Sequence, residues 1–326
     1  MAFERFWLEV GADEIERVQV SGDSRSIQPA QNEVKPLQTI QALPHASQAF
    51  ARLLQEVPGK AVAIFLDYDG TLSPLADQPE QAELAPAMRT TLRRLAVRCP
   101  VGIISGRDRE DVERLVQLDS VIYAGCHGFD IMGSKRYRFR HEEGVHALPA
   151  LRQAEVQLRR HLQGVEGVFL EQKKFSVAVH YRLTHSQNLP MVQEVIESIL
   201  AHQPHLQKIE GLCVYELRPR VAWDKGAALW WILQALSGQR QREEVLPLYL
   251  GDDLTDEAAL RVVQERGLGI VVNEGDRPTY AQYRLASPDE VKLFLDRLCD
   301  EVLDQHISRD WGEFQTHEPS VTDEGG

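Results

Sequence analysis

Five short apolar runs constrain this chain more than any other feature: AVAIFLDYD (61–69), VGIIS (101–105), VIYAG (121–125), LPLYLG (246–251) and LGIVV (268–272). A strand wetted on one face alternates apolar and polar residues, whereas a strand covered on both faces reads as a nearly continuous apolar run. Helical stretches at about 86–98, 108–117, 224–237, 255–266 and 288–303 alternate with these runs. Strands that alternate with helices form parallel βαβ units. The fold class is therefore α/β, with a doubly wound, mainly parallel sheet. Ligands in such sheets bind beyond the carboxyl ends of the strands.

Residues 146–218 read differently. A helix over 149–163 precedes the strand-like VEGVFLE and FSVAVHYR, and a helix over 189–202 precedes LQKIE and CVYELR. That αββαββ order predicts a small antiparallel sheet with two helices on one face. It is expected as a cap domain, inserted between residues 46–145 and 219–305 of the core and closing over the rim of the larger sheet. Residues 1–45 are rich in Gln, Ser and Glu and are expected to be a loosely ordered extension, with a polar tail over 306–326. No internal repeat is present.

Composition narrows the partners. With 36 Lys+Arg against 49 Asp+Glu the net charge is −13, which argues against nucleic acid or an anionic membrane. An anionic ligand would then need a local cation. The four cysteines, Cys99, Cys126, Cys213 and Cys299, form no CxxC pair, so a reducing compartment fits better than a disulfide framework. The N-terminal MAFERFWLEVGADEIE carries acids where a signal peptide needs a basic and then apolar stretch. No run approaches the ~18 apolar residues of a membrane span. The expected location is cytoplasmic.

The run at 61–69 ends on two acids, Asp67 and Asp69. Side chains two apart on a strand point the same way, so both can face one pocket at the sheet's rim. Gly70 permits a tight turn, and Thr71 adds a hydroxyl and backbone N–H groups for an anion. Two neighbouring acids repel, so one needs a proton or a cation. Mg²⁺, which uses few carboxylates and completes its shell with water and phosphate, suits such a pair. A calcium loop starting at Asp67 would place Leu72 where the turn needs glycine. A bare DxD serves equally well as a solvated strand end or helix cap, so the remaining strand ends decide.

Those ends carry complementary groups. VGIISGR places Ser105 and Arg107 before a helix opened by Asp108, where Ser105 can donate to phosphate or simply cap. WDKG places Lys225 at a helix start. YLGDDLTDE supplies Asp252, Asp253 and Asp256, with Asp253 suited to capping. In this order, DYDGT, SGR, the lysine of WDKG and GDDLTDE resemble the four motifs of the haloacid dehalogenase superfamily of phosphatases. The likeness covers about residues 60–275. More narrowly, AGCHGFDI, EQKKFSVAVHYR, YELRPRVAWDKG and GDDLTDE resemble trehalose-6-phosphate phosphatases, whose fourth motif usually runs GDDxTDE. That family usually has a small serine-like residue where Cys126 stands, a change of little expected consequence.

The resemblance implies a core like that superfamily's, an αββαββ cap, and a Mg²⁺-dependent route through an aspartyl-phosphate. Asp67 would be the nucleophile. Asp69 would be the general acid/base, protonated when it acts on the leaving sugar oxygen. Mg²⁺ would be held by Asp67, the backbone carbonyl of Asp69, and Asp252, with Asp253 and Asp256 behind them. Ser105 and Lys225 would hold phosphoryl oxygens, and Arg107 would bind phosphate or orient an acid. Glu171, Lys173 and Glu216 would bind hydroxyls of the distal glucose, with His127, His180 and Arg182 nearby in family motifs. The implied substrate is trehalose 6-phosphate, and the implied pathway neighbour a trehalose-phosphate synthase. The alternatives are another sugar phosphate, such as sucrose 6-phosphate or a glycosyl-3-phosphoglycerate, or a non-catalytic sugar-phosphate sensor.

Overall fold

The structure is a computed structural model that describes residues 37–53, 55, 61–76, 82–211, 213–238 and 245–303. The polar tail expected over 306–326, and most of the extension expected over 1–45, lie outside the described residues. The extension's described end is a correction to that expectation. Residues Gln38–Thr39 form β1, which pairs with a second short strand near Pro278. Ile40 and Leu43, at 0% and 4% exposure, pack into the core. This end belongs with the body of the protein because its two large apolar side chains are covered there.

The apolar runs form the expected strands. They are β2 (Ala61–Leu66), β3 (Val101–Ile104) and β4 (Ile122–Gly125), followed by β5 (Asp130–Met132) and β6 (Arg140–Glu142). The second half of the core adds β11 (Val245–Gly251), β12 (Leu268–Val272), β13 (Pro278–Thr279) and β14 (Tyr283–Leu285). Eight of these join in the order β14-β12-β11-β2-β3-β4-β5-β6. From β14 to β4 neighbours are parallel, and β5 and β6 close the edge antiparallel. Every residue of β2 is buried, as a strand covered by helices on both faces requires. The covering helices are α1 (Pro86–Arg98), α2 (Arg109–Val116), α5 (Lys225–Gly238), α6 (Glu257–Arg266) and α7 (Pro288–Leu298). Apolar cores fill both faces, one around Leu66, Leu92 and Phe294 and the other around Phe65, Leu229 and Tyr249. The antiparallel edge β5–β6 was not anticipated, because its short, partly polar segments carry no apolar run.

Between β6 and α5 the chain builds the second sheet. Its elements are α3 (Leu148–Leu162), β7 (Phe169–Gln172), β8 (Val177–His180), α4 (Leu189–Ala201), β9 (Leu206–Gly211) and β10 (Val214–Pro219). The four strands pair antiparallel in the order β7-β8-β10-β9. Leu151, Leu158, Val192 and Ile196 of the helices pack with Val177, Val179, Tyr215 and Leu217 of the strands. Because side chains alternate along a strand, the opposite sheet face carries Glu171, Ala178 and Glu216.

The two passages between the sheets touch. Gly144 has φ +67°, and a Cβ there would lie 2.9 Å from the ring of Pro219. Glycine alone fits this left-handed, crowded position without strain. A second link is the β7–β8 turn, whose Phe175 is 1% exposed and stacks on Phe129 at 5.8 Å. Lys174 ties the same turn to the core: its backbone N–H donates to Asp108 (2.9 Å) and its Nζ to Asp130 (2.7 Å).

Candidate active site

Three adjacent strands, β3, β2 and β11, bring the chemical residues to one rim. Leu66 pairs with Ile103 on one side and Leu250 on the other. Asp67 follows directly beyond these pairs, and Ser105 and Asp252 follow after Ile104 and Gly251. The backbone N–H of Asp67 still donates to Leu250 O at 2.9 Å, so the first acid sits on the ordered end of its strand. All three residues are buried, at 5%, 1% and 9% exposure.

Lys225, at the start of α5, is 2% exposed. Its Nζ lies 3.0 Å from Asp67 Oδ1 and 2.7 Å from Asp256 Oδ1. The two carboxylates raise the lysine's pKa against burial, which alone would lower it. Asp67 is pushed well above the usual carboxylate range, by burial first, although Lys225 pulls it back. Asp252 is pushed up to about 7 by burial and then by Asp256.

Asp256 differs from the other two acids. Its Oδ1 accepts from Lys225 and from the Tyr249 hydroxyl at 2.5 Å. Its Oδ2 accepts from the backbone N–H groups of Asp252 (3.1 Å) and Asp253 (3.0 Å). A carboxylate offers about four lone-pair sites, so Asp256 is saturated by protein donors. It organises the loop and the lysine. Asp253, expected beside it, is instead exposed. Its carboxylate accepts from Leu254 N–H and caps the short turn Leu254–Asp256, because the loop's geometry turns it outward.

Oxygens of Asp67, Asp252 and Asp256 lie within 4.8 Å of one another. Asp252 Oδ1 is buried and has no hydrogen-bond partner. Gly70 leaves room for that carboxylate, since a Cβ at position 70 would lie 2.2 Å from Asp252 Oδ2. Converging carboxylates with an unsatisfied buried oxygen suit a divalent cation. With Asp256 saturated, Asp67 and Asp252 are the side chains that fit it.

Asp69 stands on the same strand end and is less buried. Arg107 grips it with two bonds, Nε to Oδ2 and NH2 to Oδ1, both 2.7 Å. Of the two roles expected for Arg107, orienting an acid is the one that requires this contact. Ser105 Oγ accepts from the Arg107 N–H at 3.2 Å.

The cap residues gather opposite. Glu171 meets His180 at 2.9 Å and Lys173 at 3.8 Å. Glu216 accepts from Ser176 Oγ at 2.6 Å and lies 4.0 Å from Lys173. Lys173 reaches the core, with Nζ 3.4 Å from the carbonyl of Gly106 in the SGR stretch. His127 packs over Gly106, where a Cβ would lie 2.9 Å from its ring. Burial, reinforced by Lys225 and Lys173, pushes its pKa down to about 4 against the pull of Glu216. Arg182 lies exposed on the turn after β8 and makes no hydrogen bond or ion pair with this cluster among the described residues. Cys126 donates its thiol to Asp108 Oδ1 at 2.8 Å, a bond that a hydroxyl can also make.

Sequence reasoning missed Tyr249, Lys174 and Phe175. Tyr249 is hidden inside an apolar strand run, and the other two look like ordinary turn residues.

A parallel sheet with paired acids, a serine and a lysine at its rim, under an inserted antiparallel cap, defines a phosphatase of the haloacid dehalogenase type. Residues 65–289 match the sequence model of the family described as trehalose-phosphatase. The chain belongs to the trehalose-phosphatase family and is a phosphoric monoester hydrolase. It is 38% identical over 267 residues to an Arabidopsis thaliana protein named probable trehalose-phosphate phosphatase E, covering 79% of this chain and 75% of the relative. It is 40% identical over 264 residues to a trehalose-phosphate phosphatase of Mycobacterium tuberculosis, covering 80% of this chain and 66% of the relative. Among solved structures, the C-terminal domain of a Candida albicans trehalose-6-phosphate phosphatase superposes with a TM-score of 0.64 at 21% identity. That match covers 80% of this chain and 99% of the other and shows the shared fold.

Proposed function

We propose that this protein hydrolyses trehalose 6-phosphate to trehalose and inorganic phosphate. The observation that carries the reading is the buried lysine bridge, Asp67–Lys225–Asp256, beside the unsatisfied oxygen of Asp252. Uncatalysed phosphate-monoester hydrolysis needs up to ~10²¹-fold acceleration, more than any single interaction supplies. A covalent route splits the task. A carboxylate oxygen of Asp67 attacks phosphorus while the bond to the sugar oxygen breaks. Asp69, oriented by Arg107, delivers a proton to that oxygen and trehalose departs. Asp69 then takes a proton from water as the water attacks the aspartyl-phosphate, which releases phosphate and restores Asp67. Lys225 and Ser105 hold phosphoryl oxygens, where charge sits in the transition state. Asp67, the backbone carbonyl of Asp69 and Asp252 would hold Mg²⁺, whose positive charge would offset the repulsion between nucleophile and anionic substrate.

Specificity falls to the cap, with residues 146–218 as the inserted domain and 46–145 plus 219–305 as the core. Glu171, Lys173 and Glu216 bind hydroxyls of the distal glucose, with His127 and His180 beside them, while Arg182 on the exposed turn after β8 would have to reach the sugar from the rim. Charged groups make strong hydrogen bonds to hydroxyls, and a site built for them rejects analogues that lack them. A trehalose-phosphate synthase is the proposed source of substrate. No helix among the described residues is long and apolar enough to cross a membrane, and the proposed cytoplasmic location rests on the four cysteines, which form no CxxC pair and suit a reducing compartment.

The test is phosphate release from a panel of sugar phosphates, with and without EDTA. Trehalose 6-phosphate should be fastest, EDTA should stop turnover, and Mg²⁺ should restore it. Faster turnover of sucrose 6-phosphate would replace the substrate assignment, and indifference to EDTA would remove the metal.

A further inference from the structure

The cap sheet turns one face to its helices and the other toward the core. Strand register orders the residues on that second face. Glu171, Ala178 and Glu216 lie directly across from one another on β7, β8 and β10. The next same-facing row, toward the β7–β8 turn, therefore holds Lys173, Ser176 and Arg218. The Lys173 N–H donates to Ser176 O at 2.9 Å, which fixes the first pair of that row. Leu217 pairs with Val177, which sets Arg218 beside Ser176. The row, which runs on to Gln207 of β9, thus carries two cations, one on β7 and one on β10, whose Cα atoms stand two strand spacings or about 10 Å apart.

The two cations differ in their partners. Lys173 has Glu171, Glu216 and the Gly106 carbonyl. Among the described residues the Arg218 guanidinium makes no hydrogen bond and no ion pair, and its Nε is buried without a partner. The two acids that act on its charge, Glu216 and Asp224, form no ion pair with it among the described residues. Glu216 is bonded to Ser176, and Asp224 accepts from the Ala227 N–H at 2.9 Å at the start of α5. Burial lowers the pKa of this arginine, although Glu216 and Asp224 raise it. Its charge is felt by His127 and Glu216, so it stands at the seam where cap and core residues meet. A half-buried guanidinium carries five N–H donors and no acceptor, and leaving such donors without acceptors is costly.

We infer that Arg218 is a substrate-contacting residue, whose N–H donors take oxygen acceptors of the bound sugar phosphate two strands away from Lys173 on the same face of the cap sheet. Two sources offer that chemistry: hydroxyls of the sugar and non-bridging oxygens of the phosphoryl group. The inference rests on the trehalose 6-phosphate reading and assigns a contact that this reading does not include. A Cα spacing of about 10 Å between the two residues suits a hexose ring lying between them.

The test uses Arg218→Gln and Arg218→Lys in the full chain, assayed on trehalose 6-phosphate and on p-nitrophenyl phosphate. Free trehalose and inorganic phosphate serve as competing ligands. Loss of a charge-assisted contact should raise KM for trehalose 6-phosphate by about ten- to a hundredfold with kcat nearly unchanged. Arg218→Lys should recover part of that loss by keeping the charge without the planar fork. If the acceptors are hydroxyls, inhibition by trehalose weakens in parallel and KM for p-nitrophenyl phosphate stays put. If they are phosphoryl oxygens, KM for p-nitrophenyl phosphate and inhibition by phosphate shift instead. An unchanged KM on both substrates, meaning an arginine solvated by water alone, would overturn the inference. So would a fall in kcat and melting temperature together in both variants, with KM constant. Failure of the underlying reading would show separately, as a wild-type enzyme that does not prefer trehalose 6-phosphate.

Discussion

The core and the cap both collect acids and lysines, but they hold them in different ways. In the core, the Lys225 and Asp256 side chains are 2% and 0% exposed, their contacts are 2.5–3.1 Å, and Asp256 has a donor for every lone pair. In the cap, the Glu171, Lys173 and Glu216 side chains are 32%, 19% and 15% exposed, and Lys173 stands 3.8–4.0 Å from both acids. Those cap contacts are too long for hydrogen bonds. Glu171 and Glu216 each keep one hydrogen bond, to His180 (2.9 Å) and from Ser176 (2.6 Å), which leaves further acceptor sites on both carboxylates for an incoming hydroxyl. The core arrangement fixes geometry for a reaction that tolerates little displacement. The cap arrangement keeps its partners exchangeable. The difference assigns chemistry to one region and choice of substrate to the other.

The largest expected effect tests the core half. Asp67→Asn should lower kcat by on the order of 10⁴-fold or more, the scale at which loss of a nucleophile acts. It should do so equally for trehalose 6-phosphate and p-nitrophenyl phosphate. Acid-quenched wild-type enzyme should carry a phosphoryl group on the peptide containing Asp67, and substantial residual turnover in the variant would name another nucleophile.

Lys225→Met should abolish measurable turnover on both substrates and destabilise the fold by ~3–5 kcal/mol, because it leaves two buried carboxylates uncompensated. Denaturant unfolding measures this. Unchanged stability would mean that the bridge does not organise the core.

Lys174→Met sharpens the boundary between the regions. This residue touches no reacting atom, yet it ties the turn bearing Lys173 to Asp130 and Glu142 of the core. Its contact with Glu142 lowers that acid's pKa to about 2. Removing it should raise KM for trehalose 6-phosphate severalfold, by roughly the 1 kcal/mol of one lost contact, with p-nitrophenyl phosphate spared. Equal loss on both substrates would mean that the cap's placement also governs the chemistry.

The smallest effect concerns pH. Asp252, with an ordinary value of 3.8, is pushed up to about 7 by burial and by Asp256. The folded state then holds a proton that the unfolded chain releases. Its stabilising contribution is complete below the unfolded value of 3.8 and drains away as pH rises through about 7. Mg²⁺ competes with that proton, so the gain in melting temperature on adding Mg²⁺ should grow across this window, by roughly a few degrees. A gain that shrinks as pH rises would contradict the assignment of Asp252 as a ligand.

The core region was the more legible of the two in sequence. Strands buried on both faces must be apolar, so their ends announce themselves, and Asp67, Ser105 and Asp252 stand at three such ends. Helix starts were equally plain, which placed Lys225. Asp253 and Asp256 could not be ranked, because both follow the same strand and only the turn of the loop decides which carboxylate points inward. Tyr249 was invisible, since its hydroxyl changes nothing in an apolar run. In the cap, Glu171, Lys173 and Glu216 were legible only through the family resemblance, and strand register shows Glu171 and Glu216 on one face. Arg218 shares that face but stood unremarked, because a strand arginine ordinarily reads as a solvated charge. The docking of Phe175 and Lys174 depends on contacts across more than forty residues of chain, which no local pattern encodes.

The most direct measurement is the ratio of kcat/KM for trehalose 6-phosphate to that for p-nitrophenyl phosphate, in the wild type, Asp67→Asn and Lys173→Ala. A division between fixed core and exchangeable cap requires Asp67→Asn to leave the ratio unchanged while both values collapse. It requires Lys173→Ala to lower the ratio by about ten- to a hundredfold, the worth of a charged hydrogen bond. A ratio that stays constant in Lys173→Ala, or that shifts as far in Asp67→Asn, would contradict it.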